Sequence, residues 1–211
     1  MRVIRRNTIK TIVYFTIFSA LVLGWIYFYR LERDLSPENI VSFIGYVSFV
    51  TTILWKLWEL WLWRWPLLKK ISKVPDFSGR WVGTYQRVGN DSDGKSHKYV
   101  LEIHQTFSSI RCSTYQDNGT SSSAVVAEVC DLADERTCVV FFWEGISQAT
   151  ETSERLRQSG NEEYRGLTKL TFSPAQRGLK KASLSGDYFT NRETRGTVLV
   201  KFKGKKLLHH F

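Results

Sequence analysis

Seven residues in the C-terminal two thirds of the chain offer flat aromatic faces or guanidinium forks: Tyr85, Arg111, Tyr115, Trp143, Tyr188, Arg192 and Arg195. Aromatic faces stack on nucleobases at about 1–3 kcal/mol each, and arginine pairs phosphate oxygens two at a time. Brought together, these residues could hold a small nucleotide. For any one aromatic, filling a core is the plainer role, as the alternation in Trp81-Val82-Gly83-Thr84-Tyr85 and in Phe141-Phe142-Trp143 allows. Only the ensemble points to a ligand.

Other chemistry is thin. His97, His104, His209 and His210 include no pair at a zinc spacing, and Cys112, Cys130 and Cys138 form no Cys-x-x-Cys, so neither a metal nor a resident cofactor is expected. Three cysteines are an odd number, which does not read as a disulfide framework and points to a reducing compartment. No Gly-x-Ser-x-Gly, Walker A or His-Glu-x-x-His string is present, and His104 alternates with apolar neighbours as a surface residue does, so the chain does not read as an enzyme. Asn118-Gly119-Thr120 reads as a hairpin turn.

The net charge of +10 suggests a nucleic-acid binder until it is divided at Asp76. Residues 1–75 carry 11 Lys/Arg against 4 Asp/Glu, which is +7, and residues 76–211 carry 19 against 16, which is +3. The basic excess therefore belongs to the N-terminal part, and no DNA or RNA polymer is expected as a partner. The same division separates two modules, 1–75 and 76–211.

Residues 11–29 carry no charge and, at about 1.5 Å per residue, reach roughly 28 Å as a helix, close to the ~30 Å hydrocarbon core of a bilayer. A cleavable signal peptide would have a shorter apolar core and a small-x-small site, whereas Tyr27-Phe28-Tyr29-Arg30 follow here. Ser36-Pro37-Glu38 supplies an N-cap, a first-turn proline and a first-turn acid. The apolar run after it predicts a second helix over 40–65, ended by Pro66 and carrying five tryptophans between 55 and 65 that suit the headgroup boundary. Basic residues precede the first helix (Arg2, Arg5, Arg6, Lys10) and follow the second (Lys69, Lys70, Lys73), which predicts a two-pass protein with both termini and the C-terminal domain in the cytoplasm. Ser42, Gly45, Phe49 and Thr52 recur at three- and four-residue steps and would permit close helix approach, hence self-association. Lys56 and Glu59, three apart, read as an ion pair at the interface or on a helix–helix or pore-lining face.

From Asp76 onward, short Val-, Thr-, Phe- and Tyr-rich stretches alternate with turn signals. Strands are expected at about 79–88, 98–107, 109–117, 122–131, 136–145, 164–173, 181–190 and 194–203. Eight antiparallel strands with short connections favour a closed up-and-down barrel over a sandwich, with room for one small ligand. Gly79-Arg80-Trp81 carries the Gly-x-Trp that opens many lipocalin-like barrels. The long polar connection from Ile146 to Glu163 reads as a surface loop or a lid.

The order of these features resembles the bacterial SMODS-associated two-transmembrane, β-strand-rich effectors: two N-terminal membrane helices, a tryptophan-rich exit, FSGRWVGTY opening the barrel and LSGDYFTNRETRGTVLVKF closing it. Those proteins act in cyclic-oligonucleotide-based antiphage signalling (CBASS). The resemblance implies a cyclic dinucleotide second messenger as ligand, with the lipid bilayer of the bacterial inner membrane and further copies of the same chain as partners. In that mechanism bound subunits self-associate through their helices, breach the membrane and arrest growth. The rival reading is a membrane-tethered carrier of a small hydrophobic ligand, which calls for an apolar cavity without convergent arginines.

Overall fold

The computed structural model describes residues 6–30, 36–68, 74–89, 94–117, 121–131, 136–146, 164–175, 181–191 and 193–210. They form two compact units: a helical one, and a β unit that begins at Phe77.

In the helical unit, α1 (Arg6–Gly24) passes into a π-helical turn, Trp25–Arg30. Helix α2 (Pro37–Leu60) starts as its sequence dictates: the Ser36 hydroxyl accepts the Asn39 N–H at 3.3 Å, Pro37 occupies the first turn and Glu38 lies at the positive end of the helix dipole. The helix ends five residues before the predicted Trp65. Trp61 leaves helical geometry (φ −143°), and a 3₁₀ turn over Leu62–Arg64 swings Trp63 inward, where it is fully buried beside Trp58 and Phe107. Burial of an indole outweighs one more regular helical turn.

Gly24 lets the Phe43 ring approach α1, where Tyr27 and Phe28 also pack on it. Elsewhere both helices expose large apolar side chains, among them Tyr14, Phe18 and Leu21 of α1 and Val41, Ile44, Tyr46 and Phe49 of α2. Among the described residues, Pro37–Leu60 is long and apolar enough to cross a membrane, with mean hydropathy 1.7, and Val13–Tyr29 is a shorter apolar helix.

In the β unit, eight antiparallel strands close into an up-and-down barrel: β1 (Gly79–Val88), β2 (Ser96–Gln105), β3 (Ile110–Gln116), β4 (Ser121–Asp131), β5 (Thr137–Ile146), β6 (Tyr164–Ser173), β7 (Ser183–Thr190) and β8 (Arg195–Gly204). Each strand pairs with its chain neighbour, and β1 pairs with β8. The expected strands are matched to within about two residues at each end.

Strand parity sorts the side chains. Trp81 and Tyr85 of β1, Leu101 and Ile103 of β2, Phe141 and Trp143 of β5, and Val198 and Val200 of β8 all enter one core. Trp81 plugs the end where the chain enters. Its indole N–H donates to the Phe77 carbonyl at 3.0 Å, and Phe172 and Phe202 meet its ring edge-on. The Gly-x-Trp expectation is thus met by a tryptophan 2% exposed.

The outer wall carries a buried ion pair. Arg80 Nη1 donates to Glu102 Oε1 at 2.6 Å and to the His210 carbonyl at 2.7 Å, and the Leu208 and His209 N–H groups donate to the same carboxylate. Burial raises the pKa of Glu102, but the Leu208 N–H, Arg80 and the His209 N–H together outweigh it and hold the carboxyl below its ordinary value. A depressed folded-state pKa stabilises above the unfolded value and is lost as pH falls through the folded one. Stability should therefore decline in the acid range below about pH 4, and Glu102→Gln should flatten that limb in urea titrations at stepped pH.

The cysteines correct an expectation. Cys130 and Cys138 face each other across the β4–β5 ladder, Cα atoms 5.3 Å apart, and form a disulfide. Antiparallel register brings them together, which spacing along the chain does not reveal. Cys112 is free and buried, its thiol pushed up to about 12 by that burial.

Candidate functional site

The barrel end opposite Trp81 is built differently from the apolar plug. Tyr85 is its centre: His97, directly across the ladder on β2, stacks on it at 5.0 Å with the planes 24° apart, and Tyr99 and Tyr188 meet it edge-on at 6.0 Å each. The Tyr85 hydroxyl donates to Gln116 Oε1 at 3.1 Å. Around the wall, Trp143 donates its indole N–H to the Thr168 hydroxyl at 2.9 Å, and the Thr114 and Ser122 hydroxyls share a hydrogen bond at 2.5 Å.

Two glycines make this arrangement possible. Gly166 lies opposite Trp143 and Gly196 opposite Tyr188 in register. A Cβ at Gly166 would come within 2.4 Å of the indole, and one at Gly196 within 2.5 Å of the phenol ring. Each ring lies over a strand with no side chain in its way, the pairing by which an aromatic shields a glycine across a sheet.

This end therefore offers neutral planar faces together with hydroxyl and amide groups, the chemistry that recognises a heterocycle by stacking and by its edge. Cationic character enters at the rim. Arg87 is two residues beyond Tyr85 on the same strand and pairs in register with Gly196, so it shares the inner face while remaining exposed.

Residues 72–202, more than half of the chain, match the Cap15 cyclic dinucleotide receptor domain. The chain belongs to this family of CBASS effectors. A comparison with curated proteins found no match. The Cap15 receptor match runs from before β1 into β8, so the whole aromatic end lies inside it, and a cyclic dinucleotide is the ligand class that it brings.

Of the seven residues singled out by type, the structure brings three into the Cap15 barrel interior: Tyr85, Trp143 and Tyr188. Arg111, Tyr115 and Arg195 do not join them, because their strand parity sets them on the outer wall. Arg111 opposes the exposed His104, and Tyr115 opposes Val100. Tyr115 has its phenol pKa raised, by burial first and by the nearby Glu102 charge next. Arg192 lies outside the described residues, as does the connection 147–163. Sequence reasoning missed His97, Tyr99, Gln116, Thr168 and Arg87. The signal for Arg87 was available in the sequence, since it continues the alternation Trp81, Gly83, Tyr85.

The helix residues singled out also separate. Ser42, Gly45, Phe49, Thr52 and Lys56 lie on an exposed face of α2, with nothing within 4 Å of a Cβ built on Gly45 and the Thr52 hydroxyl returned to the Ser48 carbonyl at 2.7 Å. Glu59 does not pair with Lys56. Its carboxylate accepts hydrogen bonds from Thr106 and Ser108 instead.

Proposed function

We propose that a cyclic dinucleotide is read by the aromatic end of the barrel, its bases against Tyr85, Trp143 and Tyr188 and its phosphates toward Arg87. In this reading, occupancy drives copies of the chain together through α2, and the assembled helices breach the bacterial inner membrane. The protein is a two-pass membrane effector whose termini and barrel lie in the cytoplasm. The single observation that carries the ligand reading is the Tyr85 cluster, with three further rings and the Gln116 amide, inside a chain of the Cap15 receptor family.

Membrane insertion is supported by the apolar surface that α1 and α2 expose, which water would penalise at about 25 cal/mol per Å². Self-association is supported by the exposed stripe Ser42, Gly45, Phe49, Thr52, where small side chains and a satisfied hydroxyl permit close helix contact. The basic flanks set the orientation.

The test is a thermal-shift panel on the full chain in detergent, with cyclic di-AMP, cyclic di-GMP, a mixed purine–pyrimidine cyclic dinucleotide, a cyclic trinucleotide, a linear dinucleotide and a fatty acid. One cyclic dinucleotide should raise the melting temperature, with stabilisation of about 2.7 kcal/mol at a hundredfold excess over Kd. Stabilisation by the fatty acid alone would establish the hydrophobic-ligand carrier instead.

A further inference from the structure

The four residues between β2 and β3, Thr106–Ser109, cluster with the helices and not with the barrel whose strands they join. They form a tight turn of their own: the Thr106 N–H donates to the Ser109 carbonyl at 2.8 Å, and the two hydroxyls are 2.9 Å apart. The last turn of α2 grips this turn in two ways. Glu59 Oε1 accepts from the Thr106 hydroxyl at 2.5 Å, the Ser108 hydroxyl at 2.6 Å and the Ser108 N–H at 3.2 Å, while the Glu59 carbonyl accepts the Phe107 N–H at 3.0 Å. The Phe107 ring, 7% exposed, lies edge-on to Trp55 and Trp58 and tilted against Trp63, with centroids 5.6–6.3 Å away.

Hydrogen bonds to a carboxylate are about twice as strong as neutral ones, and three converge on one oxygen. The aromatic contacts fix the turn against rotation about that point. The strands leaving the turn carry part of the candidate site: β2 holds His97 and Tyr99, and β3 holds Thr114 and Gln116. Within the barrel, β2 and β3 pair continuously from Tyr99 opposite Gln116 to Gln105 opposite Ile110, so an unbroken ladder joins the candidate site to the turn.

We infer that Glu59 is the coupling residue of the effector, the group through which the ligand state of β2 and β3 is passed to the membrane-length helix. The inference rests on the reading that the barrel is the sensor and the helices the output. It assigns Glu59 no part in binding the ligand and none in the membrane contact itself. Lys56, one turn earlier and exposed, has no such role.

The experiment uses the full chain, in detergent for binding and in dye-loaded liposomes for output, with the cyclic dinucleotide that gives the largest thermal shift. Glu59→Ala should keep ligand affinity within about threefold and raise the ligand concentration for half-maximal dye release at least tenfold. Ser108→Ala should show a smaller shift of the same kind, and adding it to Glu59→Ala should change nothing further. Glu128→Ala, exposed on β4, should behave as the unchanged protein. Dye release by Glu59→Ala at the original ligand concentration overturns the inference, and so does equal loss of binding and release, which marks a merely structural role. If Glu59→Ala does not fold, Ser108→Ala decides by the same split. Absence of binding by the unchanged protein overturns the reading on which the inference stands.

Discussion

Replacing Arg80 by methionine is expected to cost about 3–5 kcal/mol of barrel stability, because it leaves a carboxylate buried without its counter-charge. The two side chains are 7% and 2% exposed, so water cannot take over from the lost partner. Glu102 would keep the Leu208 and His209 N–H donors, which hydrogen-bond it but do not neutralise it. The measurement is the urea midpoint of the full chain in detergent, followed by near-ultraviolet circular dichroism of the buried tryptophans. Arg80→Met/Glu102→Leu should recover most of the loss, since a well-packed apolar pair often replaces a buried ion pair without penalty. A single-variant loss below about 1 kcal/mol would place this pair among ordinary surface bridges.

The second large effect concerns the ligand. Tyr188→Ala and Trp143→Ala should each weaken cyclic dinucleotide binding by about 5- to 150-fold, the equivalent of 1–3 kcal/mol for one lost stacking partner. Arg87→Ala should weaken it through the phosphates, with a shallower dependence on salt in the remaining affinity. Arg111→Ala, Tyr115→Ala and Arg195→Ala, all on the outer wall, should leave affinity unchanged. Titration calorimetry at a temperature where each variant is folded separates binding from stability. The opposite ranking would move the site to the outside of the barrel.

Much of this architecture was legible before any coordinates. The β strands announced themselves through Val, Thr and aromatic residues between turn signals, and Ser36-Pro37-Glu38 named the start of α2 because capping is a local interaction written in adjacent residues. What failed was non-local. Tyr85 and Arg195 look alike as candidates in sequence, yet the pleat sends one inward and the other outward, and only the register of a closed barrel fixes which face is which. Gly166 and Gly196 read as weak points in strands until the ladder sets each beneath an aromatic ring. Glu59 offered Lys56 as the obvious partner at helical spacing, while its actual donors lie 47 and 49 residues away. Cys130 and Cys138 show the same limit, since a hairpin pairs what counting leaves unpaired.

Barrel closure has a temporal consequence. Seven of the eight strand pairings join neighbours in the chain and can form as each hairpin is completed, but β1 and β8 bring together residues more than a hundred positions apart. Long-range pairing of this kind comes late in folding. The helices, by contrast, are complete in the first third of the chain. During synthesis the helices are thus in place before the barrel has sealed. On the proposed reading, in which an occupied barrel drives the helices together, the nascent chain depends on its helices being inert by themselves until the barrel is finished.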